Sequence, residues 1–254
     1  GAVFGQLLGF LVFLLVHLRL QAYQAKHISW KEMIRLGRKY ILFPKYNLWQ
    51  GLINNLSGAF PVFILSSYFS TGMAGFYTFG YMILYRPVNL VANAFYQVMF
   101  QRFAEKTHGN DPIGPEVRLF IKRNIQVLLL PFIIAGIFFP QIFEFVFSSK
   151  WIEAGKYAQI LLPWIFMVSL VMPLSFIPDL YRKQRVAMII DAVKLLARLG
   201  GLVVGVVFEN VYIALALYSG LSTLIIAYSL IWYLQLVKTS PPMDKNVIPV
   251  PANA

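Results

Sequence analysis

About seven stretches of this chain are apolar for long enough to cross a lipid bilayer. That feature limits its fold more than any motif does. The stretches run at about 2–20, 48–70, 73–101, 124–147, 158–178, 186–207 and 211–235. A hydrocarbon core about 30 Å thick is crossed by roughly 20 helical residues. In lipid every segment must satisfy its own backbone, and continuous apolar runs do so as helices rather than as alternating barrel strands. Composition agrees, with 59% hydrophobic residues, 13% charged and a mean hydropathy of +0.66. Too few polar residues remain to cover a soluble exterior. The expected fold class is all-α, a polytopic transmembrane helical bundle of about seven spans.

The connectors alternate in character. Connector 19–47 carries Arg19, Lys26, Lys31, Arg35, Arg38, Lys39 and Lys45, and connector 102–123 carries Arg102, Lys106, Arg118, Lys122 and Arg123. Connector 179–185 adds Arg182, Lys183 and Arg185, and the tail adds Lys238 and Lys245. The opposite connectors hold only Lys150 and Lys156. Cytoplasmic loops are the basic ones, so the first side is expected to be cytoplasmic and the carboxy terminus to lie there. The net charge of +12 therefore reports topology, and no nucleic-acid partner is expected. With no cysteine, disulfides and thiolate metal sites are excluded. Gly1 opens inside an apolar run without a basic start or cleavage site, so a signal peptide is not expected. The reading is of a missing amino-terminal part that contains an odd number of spans.

Four regions are expected: a last helix of a truncated first lobe at 1–20, a linker at 21–47, a six-helix second lobe at 48–237 and a disordered cytoplasmic tail at 238–254. In the linker, Ser29-Trp30-Lys31-Glu32 reads as a capping box with Ile28 and Met33 as its hydrophobic staple. Trp30, Met33, Ile34, Gly37 and Ile41 then share one helical face, opposite Lys31, Arg35 and Arg38, and Phe43-Pro44 is expected to end the helix. An amphipathic helix lying on the cytoplasmic leaflet has this pattern. A cytosolic extension of the following span is the alternative.

Hydrocarbon should reject polar side chains, so those inside the spans are informative. Arg86, Asn89, Asn93 and Gln97 recur within a narrow arc of the 73–101 span, flanked by Tyr85 and Tyr96. Asn47, Gln50, Asn54 and Ser57 do the same in 48–70, ahead of Pro61. Asp191, Lys194 and Arg198 share a face of 186–207, which Gly201 and Gly205 continue. Such stripes are expected to face one another or water. The buried charges sum to a net positive value, so a cavity lined by them suits an anionic ligand rich in hydroxyls. Guanidinium groups hold phosphate in bidentate fashion, and amides and tyrosines hydrogen-bond and stack on sugars. The cavity candidates are Arg86, Lys194, Arg198, Asn54, Asn89, Asn93, Gln97 and Gln50.

Structural readings stand beside each of these. Asp191 and Lys194 at i,i+3 can form a plain ion pair, and Arg86 beside Pro87 can fill a kink. Amide stripes can simply join helices. The Gly1, Gly5 and Gly9 series reads as a close-packing face. His17, His27 and His108 are dispersed, so no metal site and no catalytic residues are expected. The outer acids Glu144, Glu153 and Glu209 sit in short connectors, and no nucleotide motif is present. The chain is read as a non-enzyme without a cofactor.

The run Trp151-Ile152-Glu153-Ala154-Gly155-Lys156-Tyr157-Ala158-Gln159-Ile160-Leu161-Leu162-Pro163-Trp164 resembles a signature of bacterial polysaccharide exporters of the O-antigen flippase type. These belong to the multidrug/oligosaccharidyl-lipid/polysaccharide exporter superfamily. The stretch from Arg38 through Phe43-Pro44-Lys45-Tyr46 to Asn54-Asn55-Leu56-Ser57 and Pro61-Val62 looks like that family's entry into its second lobe. Gln97-Val98-Met99-Phe100-Gln101-Arg102 and Lys183-Gln184-Arg185 are similar to further landmarks. The resemblance implies two six-helix lobes around a central cavity and alternating access. It implies a cargo of oligosaccharide on undecaprenyl pyrophosphate, turned from the cytoplasmic to the outer leaflet of the bacterial inner membrane for lipopolysaccharide O-antigen. Membrane lipid and other polysaccharide assembly proteins are the remaining partner classes. Family members often carry Arg after Gly-Tyr, whereas Gly80-Tyr81 is followed here by Met82 and the charge stands at Arg86. The alternatives are an ion-coupled multidrug-type exporter and a membrane-embedded polysaccharide polymerase or ligase.

Overall fold

The computed structural model describes residues 2–21, 29–109 and 112–239. The chain divides into two compact units, Gly1–Lys45 and Tyr46–Ala254. Its helices are α1 (Ala2–Gln21), α2 (Trp30–Tyr40), α3 (Leu42–Ile64), α4 (Thr71–Gly109), α5 (Gly114–Phe147), α6 (Ile152–Val171), the short α7 (Ile177–Leu180), α8 (Gln184–Val207) and α9 (Val211–Thr239). No strand occurs among the described residues. The chain is an all-α bundle, as its apolar runs require.

Five of the expected spans fall within single helices, whereas 48–70 runs from α3 into a π-helical turn at Leu65–Phe69 and 158–178 crosses the break between α6 and α7. Four segments of the described chain are long and apolar enough on their own. These are Lys45–Phe69, Gly114–Phe147, Ser149–Leu180 and Val211–Lys238. The helices α4 and α8 also match expected spans, but their polar stripes lower their apolar content. Several helices outrun their expected limits. The basic connector at 102–123 is largely the end of α4 and the start of α5, joined where Glu116 pairs with Arg102 at 3.2 Å and with Lys106.

In the first unit, Phe10, Phe13 and Leu15 of α1 are exposed, and a side chain at Gly5 or Gly9 would touch nothing within 4 Å. Among the described residues neither Gly5 nor Gly9 meets a packing partner, and Gly1 lies outside them. Ser29 is the N-cap of α2 with an extended backbone, but its hydroxyl makes no capping bond. The expected box is therefore not closed from that side, and Ile28 of the staple lies outside the described residues, as does the tail from residue 240 on. Trp30, Met33, Ile34 and Ile41 form an exposed apolar face. The helix break falls at Ile41 rather than at Phe43-Pro44. Pro44 sits in the first turn of α3, where a missing N–H removes no helical bond.

The second unit is organised around α6, which packs on α4, α5 and α9, while α8 packs along α9. Ala154, Ala158, Leu161 and Ile165 of α6 are fully buried. Lipid supplies little hydrophobic drive between helices, so close approach through small residues does much of the work. A Cβ on Gly155 would lie 2.7 Å from Pro140 Cα, and one on Gly80 would lie 2.5 Å from the Ala154 carbonyl.

Prolines inside spans leave carbonyls that must find another donor. Pro140 cannot donate to Gly136, and the amide of Gln159 reaches across from α6 to do so. Gln159→Leu should cost about 1–3 kcal/mol by stranding that half-buried carbonyl. Adding Pro140→Ala should return much of the loss by restoring the backbone donor. Thermal midpoints of the two variants in detergent check this; equal midpoints for the single and double variants would refute it.

Candidate functional site

The polar stripes of α3 and α8 meet. Asp191 accepts hydrogen bonds from Gln50 at 2.6 Å and from Asn54 at 3.1 Å, and its other oxygen accepts from Lys194. Both members of the Asp191–Lys194 pair are mostly shielded, with side chains 12% and 14% accessible. The carboxylate is thus held by three donors from two helices, as a buried charge requires. Lys194 is committed to an acid, and its cavity role gives way to an ion-pair role in this arrangement.

Arg198 lies one further step along the same face and is only 7% exposed. Its Nε donates to Ser222 at 2.7 Å and its Nη1 to Ser57 at 2.8 Å, so it ties α8 to α9 and to α3. The guanidinium also stands over two rings, 4.7 Å from Trp164 and 5.0 Å from Tyr218. These rings meet edge to face at 5.2 Å. Trp164 stacks on Tyr81, which stacks in turn on Tyr77 and Tyr85. Ring faces and hydroxyl dipoles stabilise the cation without a carboxylate. No acid pairs with Arg198 among the described residues, and the buried Trp164 Nε1 has no acceptor.

Gly201 and Gly205 do not extend this site. They are buried against α9, where a Cβ on Gly205 would come within 2.2 Å of Ala214 Cβ. The stripe continues as a packing seam because glycine lets α9 approach.

The α4 stripe behaves differently. Arg86, Asn93 and Gln97 are exposed and Asn89 is half-buried. Asn93 donates to Asn89 at 2.8 Å, a bond within the helix, and neither Arg86 nor Gln97 has a hydrogen-bond partner among the described residues. No other helix of this unit covers the stripe. The structure therefore brings Gln50, Asn54, Lys194 and Arg198 together and leaves Arg86, Asn89, Asn93 and Gln97 on a separate open face. Trp164, Tyr218 and Ser222 belong to the Arg198 site but were absent from the sequence-based set. Their signal was present as Tyr77, Tyr81 and Tyr85 at i,i+4 spacing and as serines 219 and 222 in a largely apolar helix.

A family described as polysaccharide biosynthesis protein matches residues 2–156, more than half of the chain. The chain belongs to that polysaccharide biosynthesis protein family. No curated protein and no solved structure matches it. The family match spans α1 through the first turn of α6 and includes Gln50, Asn54 and the whole α4 stripe. Lys194 and Arg198 lie beyond it, as does the Tyr157 to Trp164 part of the signature run.

Proposed function

We propose that this chain forms one lobe of a transporter that turns an oligosaccharide carried on undecaprenyl pyrophosphate from the cytoplasmic to the outer leaflet. The uncovered face of α4 carries this reading. A guanidinium at mid-bilayer costs about 2.5–3.5 kcal/mol even on the lenient insertion scale, so Arg86 and its three amides belong against water or a second body. A passage lined this way suits a pyrophosphate followed by sugars. Membership of a polysaccharide biosynthesis family supports a saccharide cargo.

In this mechanism Arg86 takes the pyrophosphate, and Asn89, Asn93 and Gln97 contact or hydrate the sugars. Arg198, with its donors already shared between Ser57 and Ser222, acts from behind by holding α3, α8 and α9 in register. Rocking of this lobe against another would alternate access to the site. The basic connectors favour a bacterial inner membrane orientation with the carboxy terminus in the cytoplasm. The reading is of a transporter and not an enzyme. A polymerase or ligase would need a large outer loop, whereas α5 joins α6 and α8 joins α9 by short turns. A cation-coupled drug exporter would need an acidic or apolar passage, and the open stripe of α4 contains no acid.

The test is complementation of a bacterium that lacks its own O-antigen flippase, using the full reading frame that contains this chain. Surface polymer is scored on a gel beside the amount of protein in the membrane. Wild type should restore polymer, and Arg86→Ala should lower it about tenfold, in line with loss of a charged hydrogen bond worth 1.5–3 kcal/mol. Polymer unchanged in Arg86→Ala would remove the stripe from the passage. A properly inserted wild type that restores no polymer, from any of several sugar backgrounds, would overturn the cargo assignment.

A further inference from the structure

Half a turn around α4 from its amide stripe, the bundle is open in a second way. The helices α4 and α5 both pack on α6, and between them runs a groove of about 650 Å³. Its walls are apolar and include Val91, Phe95 and Met99 of α4 with Leu119, Phe120 and Val127 of α5. Val91 and Val127 are exposed, as are Leu90 and Leu130 beside them, so the mouth opens onto a surface suited to hydrocarbon. The groove reaches along α4 from Pro87 to Arg102. At 1.5 Å per residue that is about 22 Å, which equals one leaflet including its headgroups.

The charged side chains line the groove from the α4–α5 connection to about the middle of its α5 wall. Arg102, Glu116 and Arg123 line it there, with Lys106 alongside on Glu116. Glu116 is shared by Arg102 and Lys106, while Arg123 is exposed and has no acid partner among the described residues. Arg102 and Lys106 share one carboxylate at the end near the α4–α5 connection, and Arg123 adds an uncompensated cation about two turns of α5 further along. The remaining length offers only apolar side chains, apart from Asn124, whose amide donates to the Phe120 carbonyl, and Ser169, which donates to the Phe166 carbonyl.

We propose that this groove binds one anionic phospholipid of the bilayer, with acyl chain along Val91, Phe95 and Val127 and phosphate at Arg123 and Arg102. A leaflet-long slot with a cationic stretch leading into an apolar one matches the length, polarity and charge of such a lipid. The site lies away from the Arg86 stripe and takes a resident lipid rather than cargo.

The experiment is native mass spectrometry of the full-length protein in mild detergent, titrated with phosphatidylglycerol or with phosphatidylcholine. Phosphatidylglycerol should be retained about fivefold more strongly per basic residue that meets its phosphate. Arg123→Gln should lower that preference about fivefold, and Val91→Trp should lower retention of both lipids by filling the groove. Lys150→Gln, in the turn between α5 and α6, should behave as wild type. Equal retention of the two lipids by the wild type would overturn the proposal, whatever the variants do. So would a Val91→Trp protein that binds as before, or tighter retention of a polyprenyl phosphate than of phosphatidylglycerol in the same titration.

Discussion

Replacing Arg198 with alanine is expected to lower surface polysaccharide by about tenfold or more in the complementation assay, and Arg198→Lys should not restore it. The guanidinium donates to hydroxyls on two different helices while lying over the Trp164 and Tyr218 rings. Its planar fork allows both bonds at once, which a lysine ammonium at one point in space cannot reproduce. Two charge-assisted bonds worth roughly 1.5–3 kcal/mol each are lost in the alanine variant, enough for a tenfold change at either end of that range. Lys150→Ala, a change in the exposed turn before α6, should leave polymer within about twofold of wild type, as surface changes generally stay within 0.5 kcal/mol. Full activity in Arg198→Lys would show that charge alone suffices and that the bridge between α3 and α9 is dispensable. Full activity in Arg198→Ala would remove the residue from function altogether.

The largest stability effect is expected at Gly205. Any Cβ there would come within 2.5 Å of the Ala214 backbone nitrogen and closer still to its Cα and Cβ, so neighbouring side chains cannot relieve the clash. Gly205→Leu must push α9 off α8, and because α9 also packs on α6 the displacement would reach the centre of the lobe. Overpacking typically costs about 1–3 kcal/mol, and a clash with backbone belongs at or above the top of that range. Gly200 provides the contrast. It lies in the same helix with nothing within 4 Å of its would-be Cβ. Gly200→Ala should be neutral or stabilising by up to about 1 kcal/mol through helix propensity. Melting in detergent, followed by the loss of the monodisperse chromatographic peak, separates the two. Similar midpoints for Gly205→Leu and Gly200→Ala would mean that the α8–α9 contact is looser than the structure places it.

The groove between α4 and α5, the Arg198 site and the open α4 stripe use the same residue types to different ends. Arg86 and Arg198 look alike in a sequence, since each is a lone guanidinium in an apolar span. One is uncovered and the other is enclosed by two serines and two rings. The enclosed guanidinium joins three helices, while the uncovered one makes no hydrogen bond among the described residues.

Much of this protein was legible from its residues one at a time. Hydrocarbon thickness and the self-pairing of backbone in lipid turn apolar runs into helices, and the 3.6-residue period places Gln50, Asn54 and Ser57 on one face of α3 and Arg86 through Gln97 on one face of α4. Those are properties of a single segment. Helix ends were less legible, because α4 and α5 continue past the apolar region through the Arg102 and Lys106 pairs with Glu116, which only the fold brings together. Which stripe would be closed and which left open was decided by tertiary structure alone. Asp191 meets Gln50 across 141 positions and Arg198 meets Ser57 across the same separation. Nothing local in either helix specifies that partner. Packing of α8 along α9 and the approach allowed at Gly205 set the height and rotation of α8, and those two quantities bury Arg198 while no helix of this lobe covers Arg86.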